Sequence, residues 1–140
     1  MSDRIGSLHH ITLCTGTAQG DANFFVKVLG MNLVKRTLLY DGKEPVYHLY
    51  FSDATGSPGN LTTCFPWRRT GRKARAGTGQ IALTSYTVPA GSLEFWDEHL
   101  RRNKVKVVQR YERFGQKVFA MANANSARRK NGAMSVCHVG

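Results

Sequence analysis

The sequence predicts an α+β fold made of two βαβββ modules, and three observations predict it. The chain opens on a stretch, Leu8-His9-His10-Ile11-Thr12-Leu13, that alternates along a strand. Residue pairs recur at a fixed spacing along its length. Turn-forming residues fall where one helix and three strands would fit between the recurrences.

The opening strand places His10, Thr12 and Cys14 on one face and His9, Ile11 and Leu13 on the other. An apolar face backed by an imidazole-bearing one suits a sheet that lines a polar cavity. A histidine on a strand also serves as an ordinary hydrogen-bonded residue, so spacing alone leaves both readings open. A helix is expected from about Ala18 to Leu29, with Ala22, Phe25 and Leu29 as its apolar stripe and Gly30 placed to end it. Met31 to Tyr40 is rich in Leu, Val and Thr and reads as a strand. Turn residues at 41–45 separate it from a third strand, Val46 to Phe51. A second turn, Ser52 to Gly59, leads to Asn60 to Phe65, which Pro66 stops.

The second copy follows from the spacing. Phe24-Phe25 recurs as Phe95-Trp96, Asn32 to Lys35 as Asn103 to Lys106, and Tyr40 as Tyr111, each 71 residues later. His10 to Leu13 finds its counterpart in Gln80 to Leu83. Gly79 to Val88 is then the fifth strand, and Ser92 is the expected N-cap of a helix whose face carries Leu93, Trp96 and Leu100. Lys104 to Tyr111 and Gln116 to Met121 are the next strands. The organisation is a first module at 1–67, a basic linker at 68–76 and a second module at 77–140. One such module alone would leave the apolar face of its sheet uncovered, so two must share a core or face each other across a cavity.

Composition narrows the class. A chain of 140 residues with 41% hydrophobic content can fold without staples. Its three cysteines, Cys14, Cys64 and Cys137, form no CxxC pair, which argues against a disulfide framework or a zinc knuckle. No apolar leader precedes the first strand and no run approaches a membrane span, so a cytoplasmic protein is expected. The net charge of +11 raises nucleic acid as a partner. Much of that charge sits in two blocks, Arg68 to Arg75 and Arg128-Arg129-Lys130, and neither is interleaved with aromatics. Solvated loops account for them better.

Several of these stretches together resemble the vicinal oxygen chelate superfamily, which includes glyoxalase I, bleomycin-resistance-type proteins and extradiol dioxygenases. They are Leu8 to Leu13, Phe24 to Met31, Leu33 to Thr37, Tyr47-His48-Leu49-Tyr50-Phe51, and Pro58-Gly59 leading to Phe65-Pro66-Trp67. Gly77-Thr78-Gly79-Gln80 adds the second copy. Within the superfamily the resemblance is to the N-terminal half of ring-cleaving dioxygenases that act on hydroquinones and related phenols. It implies an Fe(II) enzyme, with Mn(II) as the other candidate, whose metal is held by two histidines and a carboxylate. His10 would be the metal ligand from the first strand, and His9 a catalytic residue beside the substrate. A small aromatic substrate and dioxygen are the implied partners.

The departures from that family are informative. Such enzymes are about twice as long, and their second histidine and carboxylate come from the C-terminal half. The counterpart of His10 in the second copy is Gln80, and the last acidic residue is Glu112. After Phe119 the family pattern breaks, and two accounts of the tail compete. It is a diverged hairpin turning at Asn131-Gly132 into a fourth strand with Cys137 and His138 facing the cavity, or an ill-ordered, aberrant end that leaves the second module incomplete. The abruptness of the break favours the second.

Among other residues, His48 suits a structural or substrate-facing role better than ligation, His99 is expected in solvent, and Tyr47 and Tyr50 are expected to pack. Asp53 to Gly56 reads as a turn. The expected function is therefore extradiol cleavage of a dihydroxylated ring by an incomplete member of the family, active when a missing half or a homo-oligomer completes the site. The alternative is a metal-free protein that binds an aromatic ligand, as bleomycin-resistance-type proteins do.

Overall fold

The computed structural model describes residues 7–40, 42, 44–67, 81, 83–122 and 133–138, the last six as backbone. The chain divides into two units, 1–72 and 73–140. Each is a four-stranded mixed sheet with a helical segment after its first strand, so both modules have the βαβββ order.

In the first unit the strands are β1 (His10–Thr15), β2 (Asn32–Tyr40), β3 (Pro45–Ser52) and β4 (Leu61–Pro66). They lie in the order β1-β4-β3-β2, with β1 and β4 parallel and the other pairs antiparallel. The parallel pair is possible because the helix and two intervening strands provide the long connection it needs.

The helix departs from expectation in its winding. Thr17 caps its start, its hydroxyl accepting from the Gly20 N–H at 3.1 Å, and α1 (Ala18–Ala22) then passes into a π-helical segment, Asn23–Val28. The wider turn shifts the buried face to Asp21, Phe24, Phe25 and Val28, in place of the expected Ala22, Phe25 and Leu29. Gly30 sits just past the helix at φ +70°, where an L side chain is strained, and the Met31 N–H closes the end by donating to the Phe25 carbonyl.

The core lies between this helix and one sheet face. Phe25 stacks on Phe51 with ring centroids 4.6 Å apart, both fully buried, and Leu49 and Cys64 complete the layer. On the same side the Thr15 hydroxyl donates to the buried Asp21 carboxylate at 2.5 Å. A buried carboxylate needs such donors to offset its lost hydration.

The second unit repeats the plan with β5 (Leu83–Val88), α2 (Leu93–Arg102), β6 (Val107–Arg113), β7 (Gln116–Ala122) and β8 (Ala133–His138) in the order β5-β8-β7-β6. Its core contains Val88, Leu100, Val118, Ala120 and Met121. Ser92 occupies the N-cap position but its hydroxyl donates backward to the Pro89 carbonyl at 2.6 Å, so it makes no side-chain cap. His99 is not free in solvent: its ring stacks on Phe95 and meets the edge of Trp96. The tail also differs from the expectation favoured on sequence. Ala133–His138 forms the fourth strand, parallel to β5 and antiparallel to β7, because its backbone fills the slot between them. The Asn131-Gly132 turn and the directions of Cys137 and His138 lie outside the described residues and side chains.

Candidate functional site

Strand alternation builds the site on the face of the first sheet opposite the helix. Along β1, His10, Thr12 and Cys14 are exposed, Ile11 and Leu13 are half-buried and Thr15 is buried. Register extends this polar row across the sheet: Thr12 pairs with Thr63, and Thr63 with Tyr50. The Thr63 hydroxyl donates to Thr12 Oγ1 at 3.0 Å, tying the two strands on this face. Residues two apart share a face, so His48 and Phe65 join the same side.

The two histidines named on sequence come together. His9 precedes the strand, which frees its ring to turn toward His10, and the two Nδ1 atoms stand 3.0 Å apart with the rings edge to face. One of the pair must donate and the other accept. The β3–β4 turn fixes the backbone here, since the Gly59 N–H donates to the His9 carbonyl at 2.8 Å. Gly59 has φ +92°, a conformation that favours glycine. The turn itself is organised by Asp53, whose carboxylate accepts from the backbone N–H groups of Thr55, Gly56 and Ser57, the Ser57 hydroxyl and the Asn60 amide. Hydrogen bonds from Ser57 and Asn60 hold the Asp53 carboxyl well below the usual carboxylate range.

A second cluster was not anticipated as a unit. The His48 ring stacks on Phe65 at 4.0 Å and lies 4.1 Å from the Tyr50 ring, and the Tyr50 hydroxyl is 2.8 Å from His48 Nδ1. The Lys35 ammonium stands 5.3 Å from the centre of the Tyr50 ring. Burial, then the charges of His10 and Lys35, lower the pKa of His48 and so favour its neutral ring. Period two along β3 was the available signal for pairing 48 with 50; Phe65 joins only through register.

Cys64 is buried on the opposite face, where burial pushes its thiol far above the ordinary range. Among the described residues, no three His, Cys, Asp or Glu side chains gather to hold a metal ion. Gln80 and the basic blocks at 68–75 and 128–130 lie outside the described residues. No helix among the described residues is long and apolar enough to cross a membrane.

Comparison with known proteins places this architecture. No family model matches the chain. A crystal structure of a "putative dioxygenase" from Bacillus subtilis superposes with a TM-score of 0.82 at 33% identity, over 95% of this chain and 40% of that one. A glyoxylase/bleomycin resistance protein/dioxygenase domain from Frankia gives 0.70 at 11% identity, over 98% of this chain and 94% of the domain, a likeness of fold. The chain belongs to the vicinal oxygen chelate superfamily. Within it, the chain is 51% identical over 117 residues to the chlorohydroquinone/hydroquinone 1,2-dioxygenase of Sphingobium indicum. That match covers 84% of this chain and 36% of the relative, so the chain spans about a third of that protein's length.

Proposed function

We propose that this chain forms part of a metal-dependent ring-cleaving dioxygenase acting on dihydroxylated aromatics of the hydroquinone and catechol class by the extradiol route. Fe(II) is the metal of this reading, with Mn(II) as the second candidate. The observation that carries it is His10, exposed at the start of β1 beside His9, in a chain half identical to a hydroquinone dioxygenase.

The donor chemistry fits one ligand of a set. If the His10 Nδ1–H donates to His9 Nδ1, the lone pair of His10 Nε2 is left to bind a metal, and metal-binding histidines ordinarily use their other ring N–H in this way. His9 then carries its proton on Nε2, available to a substrate oxygen. The Gly59–His9 backbone bond fixes the start of the strand from which both rings project. The chemistry such a metal supplies when bound is a shared site for ring oxygen and dioxygen, across which electrons pass. The remaining ligands would come from residues outside those described or from another copy of the chain in a homo-oligomer.

Anaerobic loading with Fe(II), followed by oxygen uptake on hydroquinone and catechol, tests the reading. Uptake with ring cleavage is expected, reduced by a hundredfold or more in His10→Ala. Aromatic binding with no uptake above the metal-free protein would contradict it and turn the assignment toward a non-catalytic ligand-binding protein.

A further inference from the structure

The Tyr50–His48 pair has no part in the chemistry assigned to His9 and His10, yet it stands on the same sheet face. The pair is asymmetric. His48 Nε2 is buried and has no hydrogen-bond partner among the described residues. A proton on Nε2 would therefore be an N–H buried without an acceptor, which is costlier than a bare ring nitrogen there. The neutral ring accordingly carries its proton on Nδ1 and donates it to the Tyr50 oxygen 2.8 Å away. That leaves the phenolic O–H of Tyr50 unused by His48 and available to an acceptor.

What surrounds this O–H suits a planar oxygenated ring. Phe65 and the His48 ring form a stacked pair beside it. The Lys35 ammonium over the Tyr50 ring adds positive charge close to this cluster. Tyr50 is in register with Thr63 and Thr12, the latter two residues along β1 from His10. Two interstrand spacings of about 4.8 Å separate Tyr50 from β1, a gap that two side chains and a single aromatic ring would bridge.

We propose that Tyr50 is a specificity-determining residue that donates its O–H to an oxygen of a hydroxylated aromatic ligand. His48 acts through it as a positioning residue. This rests on the aromatic-substrate reading above, but it needs neither metal nor turnover.

Trp67, with its ring centre 6.2 Å from that of Phe65, supplies the readout. The metal-free protein carrying Trp96→Phe is titrated with hydroquinone and with 1,4-dimethylbenzene, which has the same shape without oxygen, and Trp67 emission is followed. Saturable quenching by hydroquinone is expected. Tyr50→Phe should weaken hydroquinone roughly three- to tenfold while leaving 1,4-dimethylbenzene within twofold, the size of one hydrogen bond. His48→Phe, which keeps a ring in the stack, should lower the same ratio, and the double variant should lower it no further. An unchanged ratio in Tyr50→Phe, or no saturable quenching by hydroquinone, overturns the proposal. Quenching that depends on Tyr50 in a protein that takes up no oxygen after Fe(II) loading would uphold it while the dioxygenase reading fails.

Discussion

Asp53 collects three backbone N–H groups and four side-chain donors, from Ser52, Thr55, Ser57 and Asn60, and the turn they form holds the carbonyl of His9. A carboxylate held below its usual range stabilises the fold while it is charged. Its contribution is complete above the ordinary aspartate value of 3.8 and is lost as pH falls below it. Thermal midpoints of the wild type and Asp53→Asn should therefore differ at pH 6 and converge as the pH falls toward 2. A gap that persists in acid would contradict this. The Thr15–Asp21 bond is the buried counterpart. Thr15→Val removes one donor from a fully buried carboxylate and should destabilise by about 1–3 kcal/mol in urea unfolding. Neither role was legible in the sequence: Asp53 reads as one more turn residue, and an aspartate in a helix reads as a surface position.

Helix and hairpin ends show which elements the sequence makes legible. Gly30 marks the end of the first helix because only a residue tolerant of positive φ fits there, and a Cβ at that position would meet nothing within 4 Å. Gly30→Ala should therefore cost backbone strain alone, about 1–2 kcal/mol. The β6–β7 hairpin runs the other way. Its two-residue turn places Phe114 at φ 53° before Gly115 at φ 71°, and Phe114 is 87% exposed. Asn-Gly is the pair such a turn prefers, so Phe114→Asn should stabilise by about 0.5–1 kcal/mol, read as a raised urea midpoint. The π-helical winding after Ala22 was not legible in the sequence, since Ala22, Phe25 and Leu29 already satisfy an ordinary helical period and nothing marks the wider turn that buries Phe24, Phe25 and Val28 instead. Strand β8 was obscured for a related reason: what fixes it is the open slot between β5 and β7, supplied by the rest of the module.

For the whole molecule, the repeat was the strongest sequence signal, and the two sheets share one strand order. The candidate site was legible only in part. Period two placed His10, Thr12 and Cys14 on one face of β1, but the joining of His48, Tyr50 and Phe65 to that face depends on register across three strands. Pairing of the His9 and His10 rings was hidden too, because strict alternation along a strand would send them to opposite faces. It arises because β1 begins at His10. The central claim is that His10 binds the metal of a dioxygenase site while His9 stands beside it. Metal content after anaerobic Fe(II) loading and dialysis, compared among the wild type, His10→Ala and His9→Ala, tests it most directly. The account predicts iron retained by the wild type, held more weakly by His9→Ala, which loses the acceptor that fixes the His10 tautomer, and lost from His10→Ala, whereas equal iron in the wild type and His10→Ala would contradict it.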